Sequence, residues 1–470
     1  MKLLIDGREI EAHEGETVLQ VAHRHGIDIP HFCWHEKLSV AGSCRMCLVK
    51  VNGLAKLMPA CGLAVVPKMR IETQVEEVER ARREVMQFLL LNHPVDCGIC
   101  DKAGECSLQD NEIRYGPSRP RSLEPKRHRR KLYPLSPRIS LDNERCILCS
   151  RCVRFTREIS GSNALGIVQR GVRSMVDRLD DKPFDDPYSD NVIGICPTGA
   201  LLSTDFLYQS RVWFLEPVRS VCNGCARGCS VNVWRRKRGR EPHMPGAASG
   251  PRAYRVTAFE NPEINGPWLC NKGFDLHQRM ARDRLLQPLV AGRPASWDEA
   301  LAAARRLVAD ARNPAALVST HGSNEELDAF RSLLANRFRT YAHEDCVPEP
   351  GEVVDDRLLI RADKNPNGFG VQTRFGAAAL PPASDHDVVL AWGELGDGAA
   401  SRLGAARVIH LTAFGPAAAA RAAVALPLST HFERAGTFTN FEGKANAFAP
   451  VFDPPPGVRH AVHVFRSLAA

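Results

Sequence analysis

The sequence predicts a multidomain chain of α+β modules followed by an α/β region, and three observations lead there. Its 470 residues exceed the roughly 100–200 of a single domain. Fifteen of its 16 cysteines fall before residue 271, in four groups set among short strand and helix patterns. After that point, strand-like runs such as Asp387-Val388-Val389-Leu390-Ala391-Trp392-Gly393 alternate with Ala-rich helical stretches. The composition, 44% hydrophobic and 25% charged, is that of a globular protein. Apolar runs fall well short of the roughly 20 residues that cross a bilayer. The opening Met1-Lys2-Leu3-Leu4-Ile5-Asp6-Gly7 meets a charge too early for a secretory signal, so a cytoplasmic location is expected. Net charge is a modest +8. The basic runs Lys126-Arg127-His128-Arg129-Arg130-Lys131 and Arg235-Arg236-Lys237-Arg238-Gly239-Arg240 lack the interleaved aromatics of single-strand binders. They read as solvated or partner-facing surface, and nucleic acid is not expected as a partner. Clustered cysteines in such a chain read as metal ligands, not disulfides.

The first group is Cys33, Cys44, Cys47 and Cys61, spaced C-x10-C-x2-C-x13-C. Upstream, residues 2–10 read as a hairpin turning at Asp6-Gly7, and residues 16–22 carry helical apolar spacing. Strand, turn, strand and helix before a cysteine loop predict a β-grasp ferredoxin. The tight Ala41-Gly42-Ser43-Cys44-Arg45-Met46-Cys47 loop lets backbone N–H groups approach cluster sulfurs. Four thiolates suit a 2Fe-2S centre, although plant-type ferredoxins space the ligands C-x4-C-x2-C. Zinc is the rival, but structural zinc usually pairs two short CxxC knuckles.

The second group is His93, Cys97, Cys100 and Cys106, spaced H-x3-C-x2-C-x5-C after an amphipathic helix over residues 82–91. Three cysteines leave one iron of a 4Fe-4S cluster without a protein ligand. His93 is the nearby candidate, and Cys346, 240 residues downstream, is the distant one. The third group, Cys146, Cys149 and Cys152, follows the bacterial ferredoxin run, with Cys196-Pro197 after a gap of 43 residues. In two-cluster ferredoxins a fourth cysteine at x3 serves the other cluster; that position is Thr156 here. One 4Fe-4S cluster closed by Cys196 is expected. The fourth group, Cys222, Cys225, Cys229 and Cys270, is spaced C-x2-C-x3-C-x40-C. It suits a further 4Fe-4S cluster, with zinc a more serious rival than elsewhere. Its long gap reads as a hairpin excursion.

In order, these groups resemble the large iron–sulfur subunit of bacterial respiratory NADH-quinone oxidoreductase. The long Cys33–Cys44 gap is similar to that family's 2Fe-2S module, and Asn92-His93-Pro94 with Cys97, Cys100 and Cys106 to its His-ligated module. Thr156 fits the family, and the fourth group resembles an extra, off-pathway cluster of some members. Asp283-Arg284-Leu285-Leu286-Gln287-Pro288-Leu289, Ser296-Trp297-Asp298-Glu299-Ala300-Leu301 and Gly436-Thr437-Phe438-Thr439-Asn440 resemble signatures of the molybdopterin-oxidoreductase fold. The resemblance implies five modules: a 2Fe-2S ferredoxin over 1–80, a His(Cys)3 4Fe-4S module over 81–121 and a ferredoxin-like 4Fe-4S module over 135–212. A further 4Fe-4S module over 215–275 precedes a truncated, non-catalytic molybdopterin-oxidoreductase-like scaffold over 276–470. It implies one 2Fe-2S cluster, two or three 4Fe-4S clusters and no molybdopterin.

The partners it implies are a flavin- and NADH-binding subunit, a two-cluster ferredoxin subunit and other peripheral-arm subunits, with the membrane reached only through the complex. Electrons would pass from the Cys33 group to the Cys146 group to the His93 group, then towards quinone. A NAD-linked formate dehydrogenase or hydrogenase subunit is the nearest alternative, but its usual second ferredoxin cluster lacks cysteines here. A zinc-stabilised interaction or nucleic-acid-binding protein fits the Cys146-x2-Cys149-x2-Cys152 spacing poorly. Acid–base pairs, nucleophile motifs and phosphate-cradling loops do not stand out, so no catalytic residue and no NADH or quinone site is expected on this chain.

Overall fold

The computed structural model describes residues 1–117, 121–122, 124–237, 253–335, 337–343, 351–376, 378–379 and 385–469. Cys346 and the end of the second basic run lie outside them. The chain divides into two units, Met1–Phe214 and Leu215–Ala470. Among the described residues, no helix is long and apolar enough to cross a membrane.

The first unit opens as the Asp-Gly pair dictates. β1 (Lys2–Ile5) and β2 (Arg8–Glu11) pair antiparallel. Asp6 at φ +48° and Gly7 at φ +80° supply the two left-handed residues of a tight hairpin. α1 (Val18–Arg24) begins at a capping box between Thr17 and Gln20. β3 (Leu48–Val51), β4 (Met58–Pro59) and β5 (Arg70–Glu72) complete a five-stranded sheet in the order β2-β1-β5-β3-β4. Leu3, Ile5, Ile10, Val49, Val51 and Ile71 pack with Val18, Leu19, Val21 and Ala22 of α1. Each such burial is worth about 1.5–3 kcal/mol for a large aliphatic side chain.

α2 (Glu76–Leu90) starts six residues before the apolar period announces it. Glu76, Glu77 and Glu79 in its first turn suit the positive end of the helix dipole. Its buried Arg82 hydrogen-bonds Tyr115 Oη at 3.3 Å and the Leu48 carbonyl at 3.4 Å, tying α3 (Ser107–Tyr115) and the sheet together. β6 (Tyr133–Pro134), β7 (Ile139–Leu141), α4 (Arg151–Glu158), the hairpin of β8 (Leu165–Val168) and β9 (Met175–Arg178), α5 (Asn191–Ile195) and β10 (Leu201–Ser203) follow. Their three-stranded sheet runs β10-β7-β6.

The second unit begins with an antiparallel sheet of β11 (Leu215–Val221), β12 (Ser230–Arg236) and β13 (Ala253–Ala258). The pairing of β12 with β13 is the hairpin expected in the long cysteine gap. Short helices α6 (Asn271–Phe274) and α7 (Leu276–Arg279) lead to β14 (Leu289–Val290) and β15 (Arg293–Pro294). Then α8 (Trp297–Asp310), β16 (Ala315–Ser319), α9 (Asn324–Leu334), β17 (Arg339–His343), α10 (Gly368–Phe375), β18 (Ala378–Ala379) and β19 (Val388–Trp392) alternate. α11 (Asp397–Arg402), β20 (Arg407–Thr412), α12 (Pro416–Ala419) and β21 (Val424–Pro427) complete an eight-stranded sheet ordered β15-β14-β21-β20-β19-β16-β17-β18.

The strands β21 to β18 of that order are parallel, and β16, β19 and β21 are buried along their whole length, as a sheet covered on both faces requires. Ala316, Val318, Val388, Leu390 and Trp392 meet α8, α9, α10 and α13 (Ala461–Ala469), while Ala315, Leu317, Val389 and Ala391 face the other core. The GTFT motif forms β22 (Gly436–Thr439), hairpinned to β23 (Ala445–Phe448).

Candidate metal centres

The first cysteine group converges at the edge of the β-grasp sheet. Cys33, Cys47 and Cys61 are buried, and Cys44 is half-buried. Hydrogen bonds from Cys44 and Cys61 pull the Cys33 thiol down, and sharing that proton, with burial, pushes Cys44 and Cys61 up. A Cys61 hydrogen bond likewise lowers Cys47. Gly42 at φ +60° and Arg45 at φ +57° bend the intervening loop, and the Phe32 amide donates to Cys44 Sγ at 3.5 Å. Sulfurs linked in turn from Cys44 to Cys33 to Cys61 to Cys47, with left-handed backbone between them, fit a thiolate-ligated cluster.

In the second group, Cys97 is exposed while Cys100 and Cys106 are buried, and burial raises both buried thiols. His93 is half-buried, and burial drops its pKa to about 4, leaving the neutral imidazole that ligates metals. Its buried Nδ1 finds no hydrogen-bond partner among the described residues. That orphaned nitrogen fits a ligand role. Cys97 adds to the rise at Cys100, and Cys100 to that at Cys106, whereas the charged groups around His93 are Asp96, Arg145, Lys126 and Lys131.

The third group surrounds a small cavity of about 20 Å³ walled by Leu141, Ile147, Val176, Pro197 and Leu201. Burial pushes Cys146 up to about 12, Cys149 up to about 11 and Cys152 well above its usual value. Thiols so costly to ionise in isolation need a cationic partner to become thiolates. Leu148 at φ +54° and Ser150 at φ +59° alternate with the ligands, and the Leu148 amide donates to Cys146 Sγ at 3.4 Å. Cys196 arrives from the end of α5. Thr156 instead hydrogen-bonds the Val153 carbonyl at 3.0 Å within its own helix.

The fourth group sits in the second unit, at the 222–229 turn between β11 and β12, with Cys270 at the start of α6. Burial raises Cys222 to about 11, and Cys229 and Cys270 further, each amplified by the other cysteines. The turn is stitched to chain far away in sequence. Ala226 N–H donates to the Asp363 carbonyl at 2.9 Å, Phe441 N–H to the Ala226 carbonyl at 3.1 Å, and Asn446 Nδ2 to the Gly228 carbonyl at 3.0 Å. Arg227 donates to the Leu358 and Leu359 carbonyls at 3.3 and 3.4 Å. Asn440 and Asn446, from the Gly-Thr-Phe-Thr-Asn hairpin, thus flank this site. Among the described residues, no His, Cys, Asp or Glu side chains converge as a single-ion site.

Several site-building residues carry no signal in the sequence. The segment 196–199 serves two groups: Cys106 Sγ faces the Pro197 carbonyl at 3.6 Å, and a methyl on Gly199 would overlap Cys100 Sγ. Arg145, beside Cys146, clasps Asp96, beside Cys97, with two hydrogen bonds of 3.1 and 2.7 Å. Burial opposes ionisation of Asp96, yet Arg145 and Lys131 hold its carboxyl below the usual range. In the α/β sheet, a cavity of about 110 Å³ opens at the carboxyl ends of β16, β19 and β20, where ligands bind in such folds. Its Arg282 and Arg434 are already paired with Glu394 and Glu326.

Three family models match. A 2Fe-2S iron-sulfur cluster binding domain covers residues 1–76, the NADH-ubiquinone oxidoreductase-G iron-sulfur binding region covers 82–121, and the ferredoxin-like domain of NADH-quinone oxidoreductase subunit 3 covers 136–202. The G subunit of the NADH-quinone oxidoreductase of Streptomyces coelicolor is 39% identical over 307 residues, 64% of this chain and 35% of that protein. A mitochondrial NADH dehydrogenase [ubiquinone] iron-sulfur protein 1 of Solanum tuberosum is 35% identical over 340 residues, 71% of this chain and 44% of that one. A solved chain of an NAD+-reducing [NiFe]-hydrogenase matches at TM-score 0.41 and 30% identity, covering 45% of this chain and 90% of that chain. The chain spans between a third and a half of these two curated relatives. With its 2Fe-2S, oxidoreductase-G and ferredoxin-like modules in that order, the chain is a relative of the G subunits of NADH-quinone oxidoreductases.

Proposed function

We propose that this chain is an iron–sulfur subunit of an NADH-quinone oxidoreductase, relaying single electrons from a flavin-bearing, NADH-oxidising partner towards quinone. The observation that carries the reading is adjacency. Groups distant in sequence share walls in the first unit: Cys33 with Cys149 through α4, and Cys196 with Cys100 and Cys106 through residues 196–199. When bound, clusters at these groups supply one-electron transfer, in the order Cys33/Cys44/Cys47/Cys61, then Cys146/Cys149/Cys152/Cys196, then His93/Cys97/Cys100/Cys106.

The chain's own part is to bind, to exclude water with aliphatic walls, and to fix the spacing of neighbouring groups. His93 replaces an anionic thiolate with a neutral imidazole, which moves its site's potential upward. The Cys222/Cys225/Cys229/Cys270 group is assigned off this path, and the α/β sheet to a scaffold without molybdopterin. The partners are the flavin subunit, a two-cluster ferredoxin subunit and other peripheral-arm subunits, at the cytoplasmic face of the membrane.

Iron and acid-labile sulfide analysis with low-temperature EPR of the dithionite-reduced, anaerobically purified chain tests this. About 14 irons, from one two-iron and three four-iron clusters, are expected. About 10 would remove the fourth group alone, and little iron with several zincs would overturn the reading.

A further inference from the structure

One face of α4 does more than close the ferredoxin-like module. Arg151, Arg154 and Glu158 stand at i, i+3 and i+7, and therefore on one side of the helix. All three reach the loop 33–39 of the β-grasp module, more than 110 residues earlier in the chain. Arg151 donates to the Trp34 carbonyl and, at 3.1 Å, to the Ile195 carbonyl. Glu158 accepts from Ser39 N–H at 2.8 Å and Ser39 Oγ at 2.6 Å. Arg154, only 4% exposed, is the centre of the contact. Its Nη1 donates to the Ser39 carbonyl, and its Nη2 to the Cys33 carbonyl and, at 3.3 Å, to the Cys149 carbonyl. Its Nε donates to Ser150 Oγ at 3.3 Å. One guanidinium therefore holds the backbone of a first-group cysteine and that of a third-group cysteine.

We propose that Arg154 is a positioning residue shared by these two sites, fixing their separation and raising both reduction potentials together. The proposal rests on the iron–sulfur reading of the two groups. Its physics is simple. An arginine remains charged throughout the accessible pH range and offers a rigid planar fork that a lysine lacks. The reduced form of either site carries one more negative charge than the oxidised form. A buried cation beside both sites, weakly screened by solvent, favours that form at each.

The test is a potentiometric EPR titration of the full cluster-loaded chain, with amide exchange of residues 33–39 measured alongside. Arg154→Gln is expected to lower both potentials, each by about tenfold in its one-electron equilibrium, or ~59 mV. The His93-group signal should stay in place. Ser39→Ala, which removes the 2.6 Å hydroxyl contact to Glu158 and loosens the same loop with no change of charge, should speed exchange but leave both potentials unchanged. Arg154→Lys keeps the charge and loses the fork, so potentials should return towards wild type while exchange stays fast.

Unmoved potentials in a fully loaded Arg154→Gln protein would overturn the proposal. If that variant loads no iron, Arg154→Lys decides: slow, wild-type exchange, or a shift at one site alone, would overturn it. Absence of both signals from the iron-analysed wild type would overturn the iron–sulfur reading itself, and this proposal with it.

Discussion

The two units bury the same ligand chemistry among different neighbours. In the first, each cysteine group adjoins another: Arg154 spans two of them, while Gly199, Pro197 and the Asp96–Arg145 clasp span the next pair. In the second, the turn that carries three of the four cysteines is hydrogen-bonded to backbone of its own unit at Asp363 and Phe441, and its Arg227 reaches the Leu358 and Leu359 carbonyls. We read the contrast as relay against fastening. Where groups share walls, spacing between sites is what the residues control; in the second unit, the contacts beside the cysteines tie their turn to a distant hairpin.

The contrast can be broken at several points. Cys149→Ala should have the largest effect: one four-iron EPR signal lost, and NADH-to-quinone flow abolished in an assembled complex. Gly199→Ala forces a methyl onto Cys100 Sγ, with Lys102 and Arg145 crowding it at 3.3 and 3.4 Å. Overpacking of this kind costs about 1–3 kcal/mol, and loss of the His93-group iron with the Cys146-group signal retained is the expected readout. Cys225→Ala should remove a cluster while electron flow continues in any complex that assembles; loss of flow would refute the off-path assignment.

Arg227→Ala removes two charge-assisted hydrogen bonds to the Leu358 and Leu359 carbonyls, costing about 1–3 kcal/mol in thermal or denaturant unfolding, with the first unit's signals unchanged. The smallest effect is a pH slope. Buried His431 accepts a proton only near pH 3 in the fold but near 6.5 when unfolded, burial being the main cause. The unfolded chain binds the extra proton in that window, so stability of the second unit falls as pH drops through it. Amide exchange at Val221, whose carbonyl His431 contacts at 2.7 Å, should report the slope, and His431→Phe should flatten it.

Local chemistry is readable in the sequence and tertiary chemistry is not. The Asp6-Gly7 hairpin, the Ser296 capping box that opens α8 and the strand at residues 388–392 follow from patterns a few residues long. The cysteine groupings stand out in the sequence because residues that would hold one centre recur at short spacings. The start of α2 escapes such a reading because its first turn is acidic, without apolar period and without a side-chain cap at Val75. Arg151 and Arg154 look like ordinary helix-surface cations, since the loop they grip is more than 110 residues away. Gly199 gives no hint either: its φ is unremarkable, and only the sulfur of Cys100 beside it shows why a side chain would not fit.

The placement of Cys196 at the end of α5 also fixes a timetable for maturation. His93 and its three cysteines lie within one short stretch, so their closure costs little chain entropy and can follow synthesis closely. Cys196 and Cys270 are separated from their companions by 43 and 40 residues respectively, and cannot join them until those stretches have been synthesised. A nascent chain therefore holds incomplete, three-thiol groups for a period set by the synthesis of those stretches. Thiols exposed during that interval are open to oxidation, a hazard that ends when the later cysteine joins its group.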